Sequence, residues 1–191
     1  MSEGFMMQIL QTGIPEVYEE DATGLVQEIY QDIKRTLKVP IVNFIFRALA
    51  NYPEFLRMAW EQIRPNMLTV KAEELAGKLR FPAISYPLPT IQWQTAYSHE
   101  TIRRINETIL IFNDVNPKLL LIAAAWAESL SDRPIVPHQV FTGFIQPGIP
   151  SGMTPVKMVH LPDAPPAIQL LLREIAAFHH TMDVASDYRA L

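Results

Sequence analysis

Sliding the 191-residue chain along itself by 142 positions lays residues 21–49 over 163–191, and eight of the 29 aligned residues are identical. Chance gives roughly two. Asp21-Ala22 meets Asp163-Ala164, Gln27 meets Gln169, Ile33 meets Ile175 and Val42 meets Val184. The match ends on an unbroken Arg47-Ala48-Leu49 over Arg189-Ala190-Leu191, and Val26 over Ile168, Asp32 over Glu174 and Phe46 over Tyr188 are conservative. An internal repeat constrains the fold more than any single motif, because whatever one copy forms the other should form too. The first copy occupies 21–131 and the second 163–191, which stops inside its second helix. The expectation is therefore the front two-thirds of a longer duplicated protein. Its last segment should show an apolar surface that a second chain covers, making a homo-oligomer.

Within the first copy the hydrophobic period is helical. Val26, Ile29, Tyr30, Ile33 and Leu37 fall on one face of a helix from Ala22 to Leu37. A second helix is expected over Val42–Ala50. Pro53 opens a third that carries Leu56, Ala59, Trp60 and Ile63, and Thr69–Leu79 reads as a fourth. Ser98 is the N-cap of a fifth with Ile102, Ile105, Ile109 and Phe112 turned inward. Asn116 before Pro117 gives a cap and first turn for a sixth, ending near Ser129. Trp60 and Trp126 belong to the core on this pattern.

Residues 80–97 read as a long loop. Eight of the chain's sixteen prolines fall between Arg133 and Pro166, where only Val140–Ile145 could be extended. After that stretch, helices resume over Ala167–His180 and from Val184. The expected division is an acidic N-terminal segment (1–20), a first helical repeat (21–131), a proline-rich linker (132–162) and the beginning of a second repeat (163–191). The fold class is all-α.

Hydrophobic residues at 49% supply a real core, and a net charge of −4 offers no basic surplus for phosphates. Nucleic acid and membrane partners are not expected. The head is the acidic part: Glu3, Glu16, Glu19, Glu20 and Asp21 stand among the first 21 residues with no Lys or Arg. The chain has no cysteine, which removes thiolate metal sites, thiol nucleophiles and disulfides. The longest unbroken apolar run, Leu119–Ala127, is far short of a span, and no basic-then-apolar leader opens the sequence. A cytoplasmic protein is expected. The five histidines form no H-E-x-x-H, and neither a G-x-S-x-G elbow nor a glycine-rich phosphate loop occurs. No metal and no cofactor are expected.

Three stretches carry a family resemblance: Val39–Leu56 with Ala59-Trp60 beyond it, Phe112–Leu120, and Ser186–Leu191. Together they resemble the group I 2-haloacid dehalogenases, the DehI family. The resemblance implies two all-α repeats joined by a long linker. It also implies cofactor-free hydrolysis of 2-haloalkanoic acids to 2-hydroxyalkanoic acids, in which a carboxylate activates water and no ester to the enzyme forms. Such chemistry needs a tuned carboxylate base, donors for the substrate carboxylate or departing halide, and an apolar pocket.

On that resemblance Asp187 is the base. Its counterpart 142 residues earlier is Ile45, so an aspartate stands where the first copy has an apolar residue. Ser186 either orients that carboxylate or caps its helix. Asn113 positions water or substrate, with Asn116 as the competing residue that also reads as a cap. Phe44, Ile45 and Phe46 are candidates to wall the substrate pocket, with core packing the favoured role for any single one of them; at Phe46 the family often has tryptophan, and phenylalanine brings no N–H. Arg47 and Arg189, being repeated, read as structural ion-pair partners rather than site residues. Two readings from other classes stand beside this one. The chain could be a non-catalytic helical protein that binds small acids or other proteins, or a hydrolase acting on another activated small acid.

Overall fold

The computed structural model describes residues 14–83, 85, 87–132 and 143–190. Glu3, His138 and Val140 to Thr142, which figure in the reading above, lie outside the described residues, as does Leu191. The described residues are helical. They contain no strand, only one isolated antiparallel bridge between Thr69 and Phe144.

The helices are α1 (Gly24–Leu37), α2 (Phe44–Leu49), α3 (Pro53–Met67), α4 (Val70–Leu79), α5 (Trp93–Ala96), α6 (His99–Ser129), a 3-10 turn (Leu161–Asp163), α7 (Pro166–Phe178) and α8 (Ser186–Ala190). Gly24 and Pro166 open α1 and α7, Phe44 and Ser186 open α2 and α8, and both pairs are 142 residues apart. Local signals account for several boundaries. Pro53 is the first residue of α3, Thr69 Oγ1 accepts the amide of Ala72 at 3.1 Å, and Ser98 Oγ accepts that of Thr101 at 3.1 Å. Lys38 ends α1 in the left-handed conformation at φ 64°.

The core forms where α1 packs on α3, and α3 in turn on α2, α4 and α6. Val26, Ile29, Tyr30, Ile33 and Leu37 are the buried stripe of α1, as their spacing predicts. They meet Leu56, Ala59, Trp60 and Met67 from α3, while Val39, Ile41 and Val42 bury the connector to α2. Phe46 is fully buried, its ring held edge-on by Trp60 at 5.7 Å and Trp126 at 6.0 Å. Burying each large side chain of this kind stabilises the fold by about 1.5–3 kcal/mol.

Three sequence expectations need correction. Asn116-Pro117 does not begin a helix: α6 runs unbroken for 31 residues with Pro117 inside it. Pro117 has no N–H for the carbonyl of Asn113, four residues back, but packing of Ile111, Phe112, Val115 and Ile122 carries the helix through. The first turns of α6 also stand away from the core. Ile109 is exposed there, and α5, absent from the expected 80–97 loop, packs against this end instead. Trp93 and Tyr97 of that segment stack on each other at 6.1 Å.

Helix α6 is, among the described residues, long and apolar enough to cross a membrane, with a mean hydropathy of 1.4 over its most apolar window. It packs on α3, α4, α5 and α8. Near its middle the buried Lys118 pairs with Glu73 and Asp114 at 2.9 Å each and donates to the carbonyl of Leu37 at 3.2 Å. Helix α7 joins only a small second cluster of Leu172, Ala176 and Val184, and leaves Leu170, Leu171 and Phe178 exposed.

Candidate active site

Helices α2, α6 and α8 bring the candidate residues together. The five-residue α8 lies against α6. There Asp187 is half-buried, and its Oδ2 faces the amide nitrogen of Asn116 at 3.5 Å. The other oxygen accepts the amide of Tyr188 at 3.2 Å. A contact of 3.5 Å is long for a direct hydrogen bond. The residue that meets the carboxylate is thus Asn116, in mid-helix rather than at a cap. Asn113 lies one turn earlier on α6, half-buried, and its side chain has no hydrogen-bond partner among the described residues.

Ser186 is buried and turned toward α2, not toward Asp187. Its hydroxyl accepts the amide of Phe44 at 2.9 Å and the Arg47 guanidinium at 3.4 Å. An unbonded amide at the start of α2 finds its acceptor this way. Phe44 and Ile45 are half-exposed beside it, but Phe46 is not a pocket wall, because the two tryptophan edges enclose it in the core.

An open cleft of about 610 Å³ adjoins α8, lined by Phe44, Ile175, His179, Met182, Val184 and Tyr188 among others. Tyr188 Oη and His179 Nε2 are 2.9 Å apart at its side. Asp187, Asn113 and Asn116 do not line it. Among the described residues no group of three His, Asp or Glu side chains gathers as metal ligands do.

A buried charge cluster sits behind α8. Glu16, from the acidic head, pairs with Arg47 Nε at 2.7 Å through one carboxylate oxygen and with Arg189 Nη1 through the other. Asp183 takes Arg189 Nη2 at 3.0 Å. The Arg189 guanidinium also lies 5.6 Å over the Phe44 ring. Burial lowers the pKa of Arg189, but attraction to Glu16 and Asp183 outweighs it and the net direction is up. The repeated arginines are ion-pair partners, as their recurrence suggests. Their carboxylates went unnoticed in the sequence, where the available signal was that two arginines among apolar helical positions require nearby acids.

The arrangement of these helices is similar to solved D-2-haloacid dehalogenases. Against a mutant of that enzyme the TM-score is 0.80 at 27% identity, covering 93% of this chain and 64% of the other. Against a mutant in complex with D-2-CPA it is 0.77 at 26% identity, and against the complex with L-LA it is 0.80 at 27%. Among sequences, the chain is 32% identical over 186 residues to a configuration-inverting 2-haloacid dehalogenase of Alcaligenes xylosoxydans xylosoxydans, covering 93% of this chain and 63% of that one. It is also 32% identical over 191 residues to the enzyme so described from Pseudomonas sp. (strain 113), covering 93% and 61%. The chain thus spans somewhat under two thirds of the length of these relatives. The family described as halocarboxylic acid dehydrogenase DehI matches residues 40–188, and the chain belongs to it.

Proposed function

We propose that this chain carries the hydrolytic dehalogenation of small 2-haloalkanoic acids, with Asp187 as general base. The observation that carries the reading is the approach of Asp187 on α8 to Asn116 on α6, in a chain of the DehI family. Relatives named as configuration-inverting agree with a single displacement at the carbon.

In the proposed step a water bound to Asp187 and steadied by Asn113 attacks C2 opposite the halogen. The Asp187 carboxylate takes a water proton, the carbon–halogen bond breaks, and halide leaves with the bonding electrons. The product is the 2-hydroxy acid with inverted configuration. No cofactor enters this scheme.

The experiment that tests the route is a single turnover in ¹⁸O-labelled water with enzyme in excess. Direct attack by water labels the hydroxyl of the product in the first turnover. An ester to Asp187 would instead deliver an unlabelled oxygen from the protein first. Running the same assay with other activated small acids distinguishes a hydrolase of different substrate. A chain that binds but never turns over 2-haloacids would leave the non-catalytic reading.

The same reading includes the internal duplication and a second copy of the chain. The paired starts of α1 with α7 and α2 with α8 support the first. The exposed Leu170, Leu171 and Phe178 support the second. Sedimentation equilibrium should give a multiple of 21.7 kDa, and a monomer at all concentrations would contradict it.

A further inference from the structure

The stretch Ile14–Glu20 has no regular helix, yet it touches three parts of the molecule. Val17 N donates to the carbonyl of Arg47 at 3.0 Å, and Val17 O accepts the Tyr30 hydroxyl at 2.8 Å. Asn51 Nδ2 donates to Pro15 O at 2.8 Å, which ties the stretch to the residues after α2. Ile14 N donates to Asp183 Oδ2 at 2.9 Å, just ahead of α8. Glu19 joins Lys34 on α1 and the amide of Val42, each at 2.7 Å.

Glu16 is the centre of this strap. Its side chain is 2% exposed, and those of Arg47 and Arg189 are 1% and 2%. The residues it bridges occupy equivalent places 142 residues apart, one on α2 and one on α8. Two cations and two anions, Glu16 and Asp183, make the cluster neutral, with all four side chains almost fully buried. Removing one anion there leaves a buried cation without its partner.

Helix α8 is held by its contacts to other parts of the fold. Among the described residues its polar attachments include Ser186 to Phe44 and Arg47, Tyr188 Oη to His179 Nε2, Arg189 to Glu16 and Asp183, and the carbonyl of Arg189 to Val159 N at 2.8 Å. Asp187 lies between Ser186 and Arg189 and contributes no anchor to the core itself.

We infer that Glu16 is a positioning residue for the active site: by bridging Arg47 and Arg189 it fixes α8 against α2 and so sets where Asp187 meets Asn116. This rests on the reading of Asp187 as the base. Glu16 does not touch substrate. The strap makes the site depend on the acidic head, a segment far from it in sequence.

The test compares the full 191-residue chain with Glu16→Gln and Glu16→Asp, by hydrogen exchange and by halide release from 2-chloropropionate. In Glu16→Gln, amide protection in residues 183–190 and at Phe44 should fall about tenfold or more while α3 and α4 keep theirs. The kcat should fall about tenfold or more with KM changed less than about threefold, since placement of the base acts on the chemical step. Glu16→Asp keeps the charge but is one methylene shorter, and should recover part of both losses. Unchanged protection in α8 would overturn the inference. So would an equal loss in every helix, which would make Glu16 a general stabiliser. If the unaltered chain releases no halide, the dehalogenase reading falls, and the exchange pattern alone still decides whether Glu16 holds α8.

Discussion

The hydroxyl of Ser186 accepts the backbone amide of Phe44 at 2.9 Å, joining the first residues of two helices that begin 142 positions apart. The bond does two things at once. It satisfies an amide at the start of α2 that has no partner within its helix, and it seats the helix that carries Asp187.

Ser186→Ala should therefore destabilise the chain by about 2 kcal/mol, because the amide and the Arg47 guanidinium both lose an acceptor in a buried setting. Thermal unfolding checks this, with an expected loss of roughly 4–8 °C in Tm. Activity should also fall, since Asp187 is the next residue.

The two asparagines on adjacent turns of α6 should behave differently. Among the described residues the Asn113 side chain has no hydrogen-bond partner, whereas Asn116 faces Asp187, so on the proposed reading Asn113 is the one that meets water or substrate. Asn113→Ala should lower kcat about a hundredfold, in the range seen when a positioned polar group is lost. Asn116→Ala should cost about tenfold, because it steadies the base across a long contact. Steady-state kinetics on both variants reads the difference.

Asp32 offers a prediction about acid. It accepts the indole N–H of Trp60 at 2.8 Å and pairs with Arg64 at 2.5 Å, so it ties α1 to α3. Burial alone would raise its pKa, but the bonds from Arg64 and Trp60 outweigh burial and hold it below its ordinary 3.8. A carboxylate lowered in the fold contributes its stability above the unfolded value and loses it as pH falls through the folded one. Asp32→Ala should therefore destabilise by about 1–2 kcal/mol near neutrality, a figure kept small because the ion pair is partly solvated. The gap between the variant and the unaltered chain should narrow below roughly pH 4. Urea denaturation at several pH values measures it.

The helices were legible in the sequence where one face repeats every three or four residues. Val26 to Leu37 and the Pro53 start of α3 came through because periodicity and capping are local. Pro117 misled for the same reason: a proline after an asparagine is a local start signal, and only the packing of α6 on its neighbours overrides it. Phe46 was read as a pocket wall or a core residue, since a short apolar helix does not say which aromatic ring faces Trp60 and Trp126. Asp187 was singled out by family resemblance and by its replacement of an apolar repeat position, and the structure sets it beside Asn116. The tie from Glu16 to Arg189 spans 173 residues, and no local pattern encodes it.

The central claim is that Asp187 activates water against a carbon–halogen bond. Its most direct test is halide release from D- and L-2-chloropropionate by the purified chain, with Asp187→Asn measured beside it after its fold is checked by circular dichroism. The account predicts release by the unaltered chain and a fall of about a thousandfold or more in the variant, as expected when a general base is removed from a water-attack step. Equal rates in the two proteins, or no release by either, would contradict it.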